Sequence, residues 1–360
     1  MWPSIQYYLN ARNHLKFQDF YLKTIVFGKG LFILGKGIYM FIEILLLIVG
    51  MVLLIKGADL FVEGSSKIAK ALKIPSLIIG LTLVSMGTSA PEASVSINAS
   101  INNLKDLSIG NVVGSNIFNT LFIIGVCAPF TPLVISKDMK RYDLPIMIAM
   151  YLVLILFSFV ISPLVLNLFE SIILLVLFVG YILFLIYRAK KNPPVEEKEE
   201  EKKISIFKNI IFAVIGLAAI IFGGDMVVDN AALIAKRLGM SEALVGLTIV
   251  AVGTSLPELV TSIVASVKGE NDIALGNVVG SNIFNIIFIL GSSSTISSLT
   301  LTWAGLFDMM VMLLSGVIIM IYALCSKNIK RWQGILIFVM YIAYLAIIIV
   351  NNGQVILFSK

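Results

Sequence analysis

The sequence predicts a polytopic α-helical membrane protein of ten spans, arranged as two five-helix repeats of inverted topology. Three observations predict it. First, 59% of the 360 residues are hydrophobic, 13% are charged, and the mean hydropathy is +1.00. A soluble domain averages roughly 45–50% apolar and about 25% charged, so a soluble enzyme is excluded, and so is a disordered chain. Second, the apolar residues gather in ten runs of spanning length. Runs of about 20 residues suit helices, whereas barrel strands alternate over about 10. Third, the second half of the chain repeats the first.

In chain order, the stretches run roughly 38–60, 74–99, 107–127, 143–162, 167–187, 207–227, 240–267, 273–291, 304–324 and 332–351. Residues 1–39 form a separate N-terminal extension. They carry Arg12, Lys16, Lys23, Lys29 and Lys36 without a spanning run or the compact apolar core of a secretory signal. Met40 directly precedes the first good span. The first repeat occupies 40–187 and the second 207–360. Between them, 188–206 holds Pro193-Pro194 followed by Glu196, Glu197, Glu199, Glu200 and Glu201 among lysines. No Asp-x-Asn-Gly pattern fixes oxygens there as a calcium loop does, and the segment reads as a solvated linker.

The repeat is direct. Gly87-Thr88-Ser89-Ala90-Pro91-Glu92 recurs as Gly253-Thr254-Ser255-Leu256-Pro257-Glu258, and Gly110 through Asn119 recurs unchanged as Gly276 through Asn285. Aligned at that 166-residue offset, 31 of the 63 positions from 57 to 119 are identical. Five spans per unit make the second copy enter from the opposite side, the arrangement of many secondary transporters. Loops after the odd-numbered spans, counting Lys208 at the start of the sixth, hold seventeen Lys and Arg residues; those after the even-numbered spans, with the C-terminus, hold four. The positive-inside rule makes the linker cytoplasmic and puts the C-terminus outside. The net charge of +6 is explained by these loops and not by a nucleic-acid partner. His14 is the only histidine, Cys127 and Cys325 lie far apart, and no P-loop is present. Histidine-ligated zinc, disulfide frameworks and ATP-driven pumping are excluded.

Glu92 and Glu258 stand in otherwise apolar helices, where a charge costs roughly 2.5–3.5 kcal/mol. Spans 2, 3, 7 and 8 offer no basic residue in their apolar cores. The missing counter-charge is a bound cation. Each Glu follows a proline, and Pro91 and Pro257 deny the carbonyls of Gly87 and Gly253 their helical donors. Freed carbonyls then join the hydroxyls of Thr88, Ser89, Thr254 and Ser255. The second motif adds Ser115, Asn119, Ser281 and Asn285. Hard oxygen ligands suit Ca²⁺ and Na⁺. Gly110, Gly114, Gly276 and Gly280 are expected to serve close helix packing. Asn111, Asn116, Asn277 and Asn282 are expected to form interhelical hydrogen bonds. Asp59 and Asp225, matched across the repeat, read as capping or packing residues at the ends of spans 1 and 6.

At its two repeated motifs the sequence resembles the cation/Ca²⁺ exchanger superfamily, in its prokaryotic sodium/calcium exchanger branch, from about residue 40 to the C-terminus. The resemblance implies an antiporter, not an enzyme, that exchanges Na⁺ for Ca²⁺ by alternating access, electrogenically, at about three Na⁺ per Ca²⁺. It implies a Ca²⁺ site of the Glu92 and Glu258 carboxylates with the carbonyls of Thr88 and Thr254. For Na⁺ it implies Ser85, Thr88, Ser89, Glu92, Ser115, Asn119, Ala251, Thr254, Ser255, Glu258, Ser281 and Asn285, with Ser85 and Ala251 acting through their carbonyls. Some relatives, including potassium-dependent ones, carry an acid where this chain has Asn285, so K⁺ cotransport is not expected. No cofactor, regulatory domain or obligate protein partner is expected. The bilayer and the two ions are the partners, and the plasma membrane the location. Proton/Ca²⁺ exchange, a cation channel, and an intramembrane hydrolase using Asp59 and Asp225 are the competing readings; the hydrolase needs two carboxyls close enough to share a proton.

Overall fold

The computed structural model describes residues 31–162, 164–191, 205–240 and 251–350. Residues 1–30, most of the linker, the first part of the seventh stretch and the last ten residues lie outside this description. Among the described residues the fold is helical apart from four two-residue strands. The helices are α1 (Leu31–Leu72), α2 (Ser76–Thr88), α3 (Ala90–Ile101), α4 (Lys105–Phe130), α5 (Leu144–Leu156), α6 (Leu168–Lys191), α7 (Ile206–Arg237), α8 (Ala251–Gly253), α9 (Leu256–Val267), α10 (Asn271–Ile296), α11 (Trp303–Cys325) and α12 (Arg331–Val350). Seven of them are long and apolar enough to cross a membrane.

Burial separates a centre from a periphery. In α10, 94% of the most apolar stretch is buried, and in α4, 78%; in the other five long helices the share is 22–33%. The five therefore turn their apolar surface outward, as lipid-facing helices do. The two central helices carry the repeated Gly-Asn-Val-Val-Gly-Ser-Asn blocks. Both bend through a π-helical turn at the same place in the repeat, Phe118–Ile123 and Asn285–Leu290. The extra residue of a π turn re-aims the side chains that follow the motif, and Asn119 and Asn285 sit at these turns.

The equivalent helices α1 and α7 run antiparallel along a glycine seam. A methyl at Gly50 would meet Gly223 O at 2.9 Å, and one at Gly57 would meet Gly216 O at 2.8 Å. Such spacing lets the two backbones touch. Glu43 pairs with Arg237 at one end of the seam, through both carboxylate oxygens at 2.9 and 2.7 Å. The four strands pair antiparallel, with Leu133 opposite Ile329 and Val165 opposite Thr300, so each pair joins one half of the chain to the other.

Helix limits differ from the sequence reading. Helix α1 begins at Leu31 and reaches Leu72, and α7 reaches Arg237. Lys67, Lys70, Lys236 and Arg237 thus continue helices beyond the apolar runs, because polar residues with good helical propensity extend a helix past the lipid at little cost. For the same reason Asp59 and Asp225 are not at helix ends. They lie inside α1 and α7, and Asp59 pairs with Lys268 at 2.5 Å. The register of the glycine seam sets Asp225 about eleven residues from Asp59, roughly 16 Å along the helix axes at 1.5 Å per residue. A shared proton is impossible at that separation, and the hydrolase reading fails.

Candidate functional site

The site forms where two broken helices cross two central ones. Helix α2 stops at Thr88 and α3 starts at Ala90, with Ser89 between them at φ −81°, ψ 7°. Ser255 makes the same break before α9, at φ −92°, ψ 7°. The prolines cause the breaks: Pro91 and Pro257 cannot donate to the preceding turn. The hydrogen-bond ladder resumes with Ala93 N–H to Ser89 O at 3.0 Å and Leu259 N–H to Ser255 O at 3.1 Å. One expectation is corrected. The Gly87 carbonyl is not left free, because backbone N–H groups at the end of α2 turn back onto Ser85 and Gly87.

Glu92 and Glu258 open the first turns of α3 and α9 and are wholly buried. Helix N-termini favour negative charge there. The two copies serve each other. Ser89 Oγ donates to Glu258 Oε1 at 2.9 Å, and Ser255 Oγ donates to Glu92 Oε1, also at 2.9 Å. Ser255 Oγ also lies 3.2 Å from Ser115 Oγ. The second oxygen of each carboxylate, Oε2, is buried without a hydrogen-bond partner, and so are Asn119 Oδ1, Asn285 Oδ1 and Thr254 Oγ1. Among the described residues no Lys, Arg or His pairs with either Glu. One oxygen of each carboxylate and two amide oxygens are therefore buried without donors, an arrangement that costs free energy unless a cation fills it.

The other expected residues divide. Ser281 Oγ reaches the Ser85 carbonyl at 3.3 Å, and that carbonyl already accepts from Ser89 N–H at 3.0 Å. The Thr88 hydroxyl is engaged elsewhere: it lies 3.1 Å from Val84 O and 3.0 Å from Asn277 Oδ1. A threonine inside a helix returns its hydroxyl to the preceding turn, which the i, i+4 spacing from Glu92 did not take into account. Ala251 lies in α8. The interhelical role expected of four asparagines is present. Asn111 Nδ2 donates to Ser96 Oγ at 2.9 Å and Glu92 O at 3.3 Å, and Asn277 Nδ2 donates to Ser262 Oγ at 2.9 Å and Glu258 O at 3.2 Å. Asn116 and Asn282 bridge α4 and α10. Gly276 and Gly280 press on α2, where a methyl at Gly280 would meet Leu81 Cα at 2.8 Å; at Gly110 and Gly114 the described residues place nothing within 4 Å. Sequence reading missed Thr120, which accepts from Asn282 Nδ2 at 2.8 Å. Its one signal was a hydroxyl in an apolar run where the second copy has Ile286.

Sequence comparison matches residues 42–187 and 208–350 to the family described as Sodium/calcium exchanger protein, leaving out the linker. The chain belongs to this family. The sodium/calcium exchanger MaX1 of Methanosarcina acetivorans is 35% identical over 321 residues, which cover 79% of this chain and 92% of MaX1. The inner membrane protein YrbG of Escherichia coli is 39% identical over 241 residues, covering 65% of this chain and 73% of YrbG. The sodium-calcium exchanger NCX_Mj, soaked with zero Na⁺ and Ca²⁺, superposes with a TM-score of 0.74 at 31% identity, over 85% of this chain and 99% of NCX_Mj. Sodium/calcium exchangers are transporters and not enzymes. As a member of the family, the chain is an integral membrane antiporter of the cation/Ca²⁺ exchange type.

Proposed function

We propose that the chain exchanges Na⁺ for Ca²⁺ by alternating access, with its two halves as inverted five-helix repeats. The observation that carries the reading is the set of unpartnered buried acceptors: Glu92 Oε2, Glu258 Oε2, Asn119 Oδ1 and Asn285 Oδ1. They come in equivalent pairs from both copies. The antiparallel course of α1 and α7 and the reciprocal serine bonds support the inversion. Ca²⁺ binds the two carboxylates with the carbonyls of Thr88 and Thr254. Na⁺ ions take the same carboxylates with oxygens of Ser89, Ser115, Asn119, Ser255, Ser281 and Asn285 and the carbonyls of Ser85 and Ala251.

Two desolvated carboxylates resist occlusion until a counter-charge enters. One Ca²⁺ or several Na⁺ supply it, so only the loaded protein switches sides and exchange results instead of leak. At three Na⁺ per Ca²⁺ one net charge crosses per cycle, and 100 mV contributes roughly 2.3 kcal/mol to it. Asn285 supplies oxygen without a third charge, so K⁺ is not a substrate. The protein works in the cell membrane with its linker cytoplasmic and its C-terminus outside.

The test is ⁴⁵Ca²⁺ uptake into proteoliposomes loaded with Na⁺, with K⁺, or with a pH gradient. Uptake driven by an outward Na⁺ gradient, and enhanced by interior-positive potential, is expected. Uptake driven by the pH gradient alone would replace Na⁺ with H⁺ as counter-ion, and uptake indifferent to every gradient would make the protein a channel.

A further inference from the structure

The amides of Asn119 and Asn285 can each present either oxygen or NH₂ to the ion pocket. An NH₂ group there would offer hydrogens where a cation needs an oxygen. What holds the oxygens inward lies behind them, in a crossed set of hydrogen bonds between α4 and α10. Asn119 Nδ2 donates to Asn282 Oδ1 at 3.2 Å, and Asn285 Nδ2 donates to Asn116 Oδ1 at 2.9 Å. Asn116 and Asn282 can offer only their oxygens because their own NH₂ groups are committed. Asn116 Nδ2 donates to the backbone carbonyl of Asn282 at 3.1 Å, an acceptor that cannot turn. Asn282 Nδ2 donates to Thr120 Oγ1 at 2.8 Å. The Thr120 hydroxyl proton is itself spent on Asn116 O at 2.8 Å, so towards Asn282 it can only accept. All of these side chains are buried, and water does not compete.

We propose that Thr120, acting through Asn282, is a positioning residue that keeps the Asn119 oxygen facing the transported ion, while Asn116 does the same for Asn285. The arrangement is one-sided. Each NH₂ also reaches a methionine sulfur, a weak acceptor: Asn116 Nδ2 reaches Met312 Sδ at 3.7 Å and Asn282 Nδ2 reaches Met147 Sδ at 3.6 Å. For its strong acceptor, Asn285's orientation rests on a backbone carbonyl and Asn119's on the Thr120 hydroxyl, at a position where the second copy has Ile286. Without that hydroxyl, Asn282 can turn over, present NH₂ to Asn119, and swing the Asn119 NH₂ into the pocket. The proposal rests on the exchange reading above.

The experiment is equilibrium ⁴⁵Ca²⁺ binding to the purified full chain in detergent, with Na⁺ competition. Wild type must bind; no binding by folded wild type overturns the exchange reading and this proposal with it. Thr120→Ser, which keeps the hydroxyl, should match wild type. Thr120→Val should weaken Ca²⁺ binding about tenfold, equivalent to ~1.4 kcal/mol. In an Asn119→Asp background both ends of the side chain are oxygen, so adding Thr120→Val should cause no further loss, a result a merely structural role would not give. Wild-type affinity in folded Thr120→Val, or an equal loss in the Asn119→Asp background, overturns the proposal while wild-type binding leaves the exchange reading standing. If Thr120→Val does not fold, Asn282→Asp decides: its carboxylate keeps an acceptor on Asn119, and loss of Ca²⁺ binding in that folded variant overturns the proposal.

Discussion

Replacing Glu92 by Gln should move stability and ion response in opposite directions. Glu92 is wholly buried, with one oxygen bonded to Ser255 at 2.9 Å and the other unpartnered. In the ion-free protein the burial of its charge costs roughly 2.5–3.5 kcal/mol. The Ser255 bond returns about 1.5–3 kcal/mol to a charged acceptor and about 0.5–1.5 kcal/mol to a neutral one. Gln keeps the bond in its weaker form, so the relief of charge exceeds the loss by about 1–2 kcal/mol. The ion-free variant should therefore unfold at a higher temperature than wild type. Ca²⁺ at one hundred times its dissociation constant should stabilise wild type by about 2.7 kcal/mol, and the variant should lose this response together with all Na⁺-driven Ca²⁺ flux. Thermal unfolding in detergent, with and without Ca²⁺, reads both effects on one sample. A variant that is less stable without ions yet still stabilised by Ca²⁺ would refute the reasoning, because Glu92 would then be a structural acid.

The same site makes further predictions. Glu258→Gln should behave as Glu92→Gln does, since Ser89 holds Glu258 as Ser255 holds Glu92; a difference in Ca²⁺ flux between the two at matched expression would break the equivalence. Na⁺-driven Ca²⁺ uptake should be unchanged in K⁺-free vesicles, and Asn285→Asp should alter ion dependence without removing Ca²⁺ binding; a strict K⁺ requirement in wild type would reject the role given to Asn285. Gly280→Val should overpack the contact with Leu81, 2.8 Å from the first added carbon, at about 1–3 kcal/mol, read as a lowered melting temperature. Arg188→Met should strand the buried Asp143, its partner at 2.5 Å, and cost about 3–5 kcal/mol; adding Asp143→Asn should restore most of the melting temperature.

The amount of fold and site legible in the sequence followed from the kind of force involved. The long apolar helices were visible because lipid demands long apolar stretches, and the break at each Glu was visible because proline cannot donate. Glu92 and Glu258 stood out because an acid without a basic partner is costly wherever it is buried. Side-chain direction was hidden. Nothing in the spacing of Thr88 and Glu92 shows that Thr88 bonds back to its own helix, or that the Asn119 oxygen is left without a donor. The strand pairs of two residues each carry no periodicity. Thr120 escaped because its importance lies in where its proton already goes.

The crossed asparagine bonds make each half of the chain dependent on the other for the polarity of its own amide. Asn119, in the first half, is oriented by Asn282 of the second, and Asn285 of the second by Asn116 of the first. Neither half alone holds a finished site, so a separated half would expose unsatisfied amides where its twin belongs. Two identical halves in a dimer would also be forced to share every substitution. Joined on one polypeptide, they can diverge one position at a time, and Thr120 opposite Ile286 is such a divergence. Fusion thus gives the pocket an asymmetry that symmetric assembly forbids: its two faces can be tuned separately.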